Sequence, residues 1–367
     1  MPGDTTSAAE QTTVGSLEVE NFRNFSTAKL LPAPGLTVVR GDNGVGKTSL
    51  LEALSYCSKL KSFRSVPRDA LIRLGQSSAS VRTELLHGTR RVEIEVSLEV
   101  GRRDKALRNK QRVDGVKDLL DVLRTTLFTP DDLDITKGGP ELRRDVLDDV
   151  IQATRPRLAA DRANLDRILR QRNALLRQMS GRLSGQTGHT LDVWDERLAE
   201  TGERVASARE ELAGDLGPLA TEAFATLAPG DGPLKLRYAR SFEGNLAEAL
   251  AKARQDDVRR QVTTVGPQRD DLELRAGGLE ARTRLSQGRQ RCVALALKLA
   301  THRYVARVTG VTPVLLLDDA FSELDDATSR ALVQELPKGQ AILTTAGALP
   351  PGAQPALVVV LEDGRLR

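Results

Sequence analysis

The chain has 367 residues, 40% of them apolar and 28% charged, with a net charge of +4 and an isoelectric point near 9.1. That is room for two or three domains with a full hydrophobic core, and no apolar run approaches the length of a membrane span. Aromatic residues make up only 3% of the chain, which argues against base stacking as the main mode of any nucleic-acid recognition. Cys57 and Cys292 lie far apart, and His87, His189 and His302 are scattered, so neither a zinc spacing nor a disulfide framework is present.

The opening, "MPGDTTSAAEQTTVG", lacks the basic start and apolar stretch of a secretory signal and reads as a disordered polar tail over 1–14. A cytoplasmic protein with no membrane association is the expectation. Residues 17–40 read as two strands, "LEVENFRNF" and "GLTVV", around a turn. A glycine-rich turn and a helix to about Leu60 follow. "SVRTELLHGTRRVEIEVSLEV" predicts a hairpin turning at His87-Gly88, with Val92, Ile94, Val96 and Leu98 on one face. "KALRNKQRV" predicts a further strand, and "TTLFTP" a short buried strand stopped by Pro130.

From about Glu141 the composition turns to helix-forming Leu, Arg, Glu and Ala. Leu165, Ile168, Leu169, Leu175, Leu176 and Met179 form one stripe. A glycine- and serine-rich break covers 180–190. After it, Leu191, Trp194, Leu198, Thr201, Val205, Ala208 and Leu212 step alternately by three and four, a heptad seam. Both an antiparallel helical hairpin and an ordinary helical bundle satisfy this pattern. "LKLRYARSF" predicts a strand and "NLAEALAKARQDDVRRQ" a helix. The α/β texture then returns with "DLELRAGG", "GRQRCVALALKLATHRYVA", "PVLLLDD", "ATSRALVQEL", "AILTT" and "ALVVVLEDGRL". The expected organisation is a tail over 1–14, one α/β domain built from 15–140 and 261–367, and a helical insert over 141–260.

Charge is uneven along the chain. Residues 102–112 carry six basic side chains against one acid, and 155–182 carry eight arginines against two aspartates. Each run is either a solvated face or part of a polyanion footprint; several in one chain favour a polyanionic partner.

"GDNGVGKT" matches G-x-x-x-x-G-K-[ST], with Gly41, Asp42, Asn43, Gly44, Val45, Gly46, Lys47 and Thr48 between a strand and a helix. In such a loop, glycines let the backbone N–H groups curl around phosphate oxygens, aided by the helix N-terminus. Lys47 is expected on the β- and γ-phosphates and Thr48 on Mg²⁺. "PVLLLDD" ends a fully apolar strand in Asp318 and Asp319, a costly arrangement without a cation. Asp318 is the candidate Mg²⁺ partner and Asp319 the candidate for polarising the attacking water. "RLSQGRQ" opens a long helix, so Ser286 and Gly288 lie at a second N-terminus suited to phosphate.

"LSQGRQ" resembles the signature motif of ABC-type ATPases, and "SELD" at Ser322 to Asp325 resembles their D-loop. The whole chain resembles the RecF family of bacterial replication and recombination-repair proteins. The supporting stretches run from "LEVENFRNF" and "GDNGVGKTSLLEAL" through "KSFRS", "FTPDDLDITKGGPELRRDVLD", "QRNALL" and "TTVGPQRDDLEL" to "SQGRQR" and "LLLDDAFSELD".

The resemblance implies an α/β, ABC-type P-loop ATPase head with a β-rich N-terminal lobe and an inserted helical, short coiled-coil-like domain. It implies a cytoplasmic, ATP- and Mg²⁺-dependent DNA-binding protein. ATP would drive a homodimer in which Ser286, Gly288 and Asp325 of one copy serve the other's nucleotide, with Arg23 near the phosphates. The dimer would clamp double-stranded DNA at single-strand junctions and act with RecR and RecO in placing RecA. Slow hydrolysis would reset the clamp. Candidate DNA contacts are Lys59, Lys61, Arg64, Arg103, Lys105, Arg108 and Lys110.

Four features depart from the expected patterns. Arg289 adds charge after the signature glycine, and Gln268 stands where the family commonly has histidine. Thr344 and Thr345 stand near the place of the transporter-type switch histidine. Asp319 is one methylene shorter than the glutamate common in transporters, which predicts slow turnover. The alternative is the ATPase subunit of an ABC-type transporter. The long separation of P-loop and signature and the missing histidine argue against it.

Overall fold

The computed structural model describes residues 12–64, 66–179 and 185–367, with the backbone alone at 185–187. Two compact units divide the chain, the first comprising Met1–Asp132, Thr226–Ala228 and Lys298–Arg367, the second Leu133–Ala225 and Pro229–Leu297.

The first unit begins with β1 (Thr12–Phe22), so the strand starts inside the stretch expected to be a tail. The rest of that tail lies outside the described residues. Thr12, Thr13 and Val14 pair with His87, Leu86 and Leu85, which gives their backbone groups partners. A bulge between Val14 and Ser16 resets the alternation, so Val14, Leu17 and Val19 all reach the core. The chain reverses at Arg23-Asn24 into β2 (Phe25–Leu30), a strand the hydrophobic pattern hid because its central residues are largely exposed.

Then come β3 (Leu36–Arg40) and helix α1 (Lys47–Lys59). β4 (Ser78–His87) and β5 (Arg90–Glu99) form the expected hairpin, with Gly88 at φ 58 in the turn. The single strand expected over 105–113 is instead a second hairpin, β6 (Lys105–Arg108) and β7 (Gln111–Arg112). Asn109 and Lys110 turn it with φ of 50 and 66, and the Asn109 side chain accepts a bond from the Glu93 amide. Helix α2 (Val116–Leu120) and β8 (Thr125–Phe128) complete this part.

The second unit holds α3 (Leu133–Lys137), α4 (Pro140–Thr154), α5 (Pro156–Gln178) and α6 (Gly185–Leu227). It continues through β9 (Leu234–Ala239), α7 (Leu246–Arg260), β10 (Asp271–Ala276), β11 (Leu279–Glu280) and α8 (Ala281–Arg284). Helix α9 (Gln287–Thr309) starts here and ends in the first unit. The heptad seam is buried at Leu191, Leu198, Thr201, Val205, Ala208 and Leu212, while Trp194 is half-buried.

Leu165, Ile168 and Leu169 of α5 share a core with Leu198 and Val205 of α6 and with Leu246 and Leu250 of α7. Three helices therefore cover the apolar faces, which decides for a bundle over an isolated hairpin of helices. Strand β10, expected with the α/β domain, pairs with β9 in the sheet β11-β10-β9.

Back in the first unit, the chain forms β12 (Val314–Asp318), α10 (Asp326–Glu335), β13 (Ala341–Thr345), β14 (Leu357–Glu362) and β15 (Arg365–Leu366). Its two sheets have the orders β2-β1-β4-β5-β6-β7 and β15-β14-β3-β13-β12-β8. The first is antiparallel; the second is parallel from β14 to β8. A shared core of Leu17, Phe22, Val39, Leu50, Leu54, Val81, Ile94 and Leu316, among others, joins both sheets to α1. Strand β13 lies between β3 and β12, so three C-terminal strand ends stand side by side, where open parallel sheets bind ligands.

Candidate nucleotide site

β3 feeds directly into the glycine-rich turn, and α1 starts on Gly46 at φ 113. A side chain at Gly46 would be strained there and would meet Asn24 and Phe25 below 3.0 Å. Gly41 is tied to β13 by its N–H to Thr345 O (3.2 Å), and a Cβ on it would lie 2.4 Å from Leu361 O. Asn24 braces the turn by donating from Nδ2 to Val45 O (2.8 Å), a support with no signal in the motif itself. Asp42, Asn43 and Gly44 are exposed at the tip, and Val45 is half-buried.

The Lys47 ammonium donates to Gly41 O (2.7 Å) and Asp42 O (2.8 Å), spanning the loop from inside. Burial lowers its pKa, opposed by the nearby charges of Asp319, Asp318 and Asp42. Thr48 Oγ1 lies 2.9 Å from both carboxylate oxygens of Asp318, which also accepts from Thr344 Oγ1 (2.7 Å). Desolvation raises the Asp318 pKa, and the hydroxyl bonds from Thr344 and Thr48 oppose it; repulsion from Asp319 adds to the rise, and Arg64 lowers it. A buried carboxylate held by neutral hydroxyls beside a second carboxylate is short of positive charge, which suits a cation there. Asp319, at φ 46, turns the chain out of β12, and its amide donates to Thr344 O (3.1 Å) and Thr344 Oγ1 (3.2 Å). So the turn, Lys47, Thr48, Asp318 and Asp319 come together as the motifs imply.

In the second unit, α9 begins at Gln287, and Gln290 N donates to Ser286 O (2.9 Å), so Ser286 sits where a helix cap does. Ser286, Gln287, Gly288 and Arg289 are all exposed. Gln290 is buried, its amide donating to Ala281 O (3.0 Å) and Arg282 O (2.9 Å), which anchors the segment from behind. In the first unit, Asp325 is exposed and caps α10, accepting from Thr328 N (2.7 Å). That bond holds its carboxyl below its usual pKa.

A family model described as "RecF/RecN/SMC N terminal domain" matches residues 13–346. The chain is 39% identical over 347 residues to the DNA replication and repair protein RecF of Streptomyces avermitilis, covering 91% of this chain and 93% of that one. The chain belongs to the RecF family. Among solved structures, it resembles that of the recombination mediator protein RecF with ATP in the RecFOR pathway at a TM-score of 0.89. That match is 27% identical and covers 99% of each chain. An Smc head domain from Pyrococcus furiosus, 17% identical at a TM-score of 0.58, shares the fold. The fold is thus an ABC-type ATPase fold with a helical insertion, as the RecF resemblance implies.

Several residues stand elsewhere than the motifs alone suggest. Arg23 makes a two-pronged ion pair with Glu52, which is fully buried in α1 (2.8 and 2.7 Å), and donates to Ala70 O (2.9 Å). Its guanidinium thus braces the helix behind the phosphate loop. Ser62 joins the same Glu52 (2.5 Å) and accepts from the Arg64 amide (3.0 Å), leaving Lys61 and Arg64 exposed and Lys59 half-buried. Arg103, Lys105 and Lys110 are exposed and Arg108 is half-buried; Lys105 lies 3.6 Å from Glu99. The one acid of the 102–112 run, Asp104, is half-buried and bonded by Tyr56 (2.5 Å) and by Arg68. Its charge is turned inward, while Arg102, Arg103, Lys105, Lys110 and Arg112 are exposed.

The arginines of 155–182 divide differently from the polyanion expectation. Arg155 pairs with Glu211, Arg162 with Asp148, and buried Arg172 with Asp195 and Asp257. These hold the second unit together. Arg289 pairs with Asp231, so the charge after the signature glycine has a partner in its own unit. Gln268 donates to Val265 O (2.8 Å) within its own loop.

Proposed function

We propose that the chain is an ATP-dependent DNA-binding protein of replication and recombinational repair, with weak ATPase activity used as a conformational switch. The observation that carries this is the joining of Thr48 and Asp318 by hydrogen bonds beside the Lys47 loop, in a chain of the RecF family. A solved RecF relative is described with ATP in the RecFOR pathway, which supports ATP as the nucleotide.

The residues fit Mg²⁺-ATP. Mg²⁺ would neutralise phosphate charge and bridge the nucleotide to the protein through few protein ligands. Thr48 would offer its hydroxyl oxygen to the metal, and Asp318 would face it directly or through water. Lys47 would exchange its bonds to the Gly41 and Asp42 carbonyls for the β- and γ-phosphates, and the loop amides of 41–48 would cradle them. Asp319 would orient the water that attacks the γ-phosphate. Its short side chain is consistent with slow turnover.

Ser286 and Gly288 would close on the nucleotide of a second copy, with Asp325 at the same seam, which makes ATP the bolt of a homodimer. The dimer would grip duplex DNA at gaps and single-strand junctions through Lys59, Lys61, Arg64, Arg103, Lys105, Arg108 and Lys110. RecR, with RecO, is the expected protein partner on the way to RecA loading. A transporter role is not favoured: the RecF relatives match along nearly the whole chain. No helix among the described residues is long and apolar enough to cross a membrane.

Size analysis with ATP and Mg²⁺, with and without gapped duplex, tests this directly. Wild type is expected to dimerise with nucleotide and to be held longer as a dimer by DNA, while Ser286→Arg stays monomeric. A wild-type chain that stays monomeric under all conditions would sink the clamp reading.

A further inference from the structure

The closing residues of β13 stand between the phosphate-loop strand and the strand of the two aspartates, and one of them touches both carboxylate residues. Thr344 is opposite Asp318 in the parallel register and is fully buried. Its hydroxyl donates to Asp318 Oδ1 at 2.7 Å and accepts from the Asp319 amide at 3.2 Å. Strand β13 is buried at every position, so a valine would fill the same volume with equal strand preference and no polar group to satisfy. A hydroxyl there carries a desolvation cost that its bonds to the two aspartates offset.

We propose that Thr344 is a positioning residue of the nucleotide site: its hydroxyl sets the orientation of Asp318 and, through the Asp319 amide, the direction in which the second carboxylate leaves the strand. This rests on the ATPase reading above. Thr344 bonds Oδ1 alone, while Thr48 lies 2.9 Å from both oxygens, so the Thr344 bond is the one that distinguishes the two oxygens of Asp318. The bond to the Asp319 amide helps fix a residue at φ 46, in the left-handed region that residues other than glycine visit uncommonly. Thr344 thereby ties metal ligand and water-orienting residue to one rigid strand. A site is held to the tolerance chemistry needs when its supporting bonds come from such an element.

Thr344→Val and Thr344→Ser separate the hydroxyl from the fold. Binding of a fluorescent ATP analogue is followed while Mg²⁺ is titrated, and steady-state hydrolysis is measured beside it. A lost hydrogen bond to a charged group predicts that Thr344→Val needs about tenfold more Mg²⁺ for half-maximal binding and loses about tenfold in kcat. Analogue affinity without metal should stay within about twofold, and Thr344→Ser should stay within about threefold of wild type throughout. A Thr344→Val protein with unchanged Mg²⁺ dependence and kcat overturns the proposal. So does a Thr344→Ser protein as impaired as Thr344→Val, since the effect would then be volume. Should Thr344→Val fail to fold, Thr344→Ala against Thr344→Ser carries the same comparison, equal impairment again being the overturning result. Wild-type binding that ignores Mg²⁺ overturns the ATPase reading itself and this role with it.

Discussion

At the start of α1, Lys47 is only 7% exposed and already donates to two loop carbonyls, with Thr48 and Asp318 bonded to each other close by. At the start of α9, Ser286 to Arg289 all lie exposed, and the buried Gln290 behind them is what fixes their place. Both are helix N-termini with amides suited to phosphate. The first is a finished polar cluster that must exchange internal bonds for ligand bonds. The second offers its groups to solvent, and in this reading it is completed by a second copy of the chain. Burial therefore separates the two roles: affinity for nucleotide should depend on the first end alone, and assembly on both.

The largest effect should come from Lys47→Ala. Losing an ammonium that makes charge-assisted bonds should weaken ATP binding at least about a hundredfold by calorimetry, and nucleotide-dependent dimerisation should vanish with it. A variant that still binds within threefold of wild type would break the comparison at its buried end. Ser286→Arg is the counterpart. Monomer affinity for ATP should stay within about threefold, because the residue is exposed and belongs to the other unit. Loss on the scale of Lys47→Ala would mean that the two ends act on one nucleotide within a single chain.

Further along α9, His302 is buried and both ring nitrogens lack a partner. Burial pushes its pKa down to about 4, with the Arg303 charge adding to the shift. The folded state therefore binds the proton more weakly than the unfolded chain, whose histidine titrates near 6.5. This contribution to stability is complete above about pH 6.5 and is lost as pH falls toward 4, by about 3 kcal/mol at most. The melting temperature of His302→Leu should fall less than that of wild type between pH 7 and 4.5. Parallel curves would show that the buried end of the helix tolerates charge.

The smallest effect belongs to the exposed basic hairpin. Removing Lys105 or Lys110 should weaken DNA binding modestly and lower the slope of log affinity against log salt by about one each. An unchanged slope would exclude those side chains from the footprint.

The gathering of the glycine-rich turn and the paired aspartates was legible because each part is contiguous in the chain. A strand, a glycine-rich turn and a helix occupy neighbouring positions, and Asp318 and Asp319 directly follow an apolar run. The supporting residues were not legible. Asn24, Glu52 and Thr344 act through partners far away in the chain, and no local pattern distinguishes Thr344 from its strand neighbours. Basic runs were only partly legible. Arg155, Arg162 and Arg172 look like a footprint until the carboxylates of Glu211, Asp148, Asp195 and Asp257 are brought to them. The 102–112 run keeps its outward charge because Tyr56 and Arg68 hold its single acid inward.

Local order along the chain was enough to determine an α/β phosphate-loop domain, the heptad-spaced helix and the start of the long helix after Ser286, because each depends on spacing within a few residues. Strand partners required the tertiary structure. Only there does β10 join β9, and only there does β13 enter between β3 and β12, setting the Thr344 hydroxyl against the Asp318 carboxylate and the Asp319 amide. Pairing joins residues far apart in sequence by backbone bonds that nearly every side chain allows, so burial and sheet order had to select the partners.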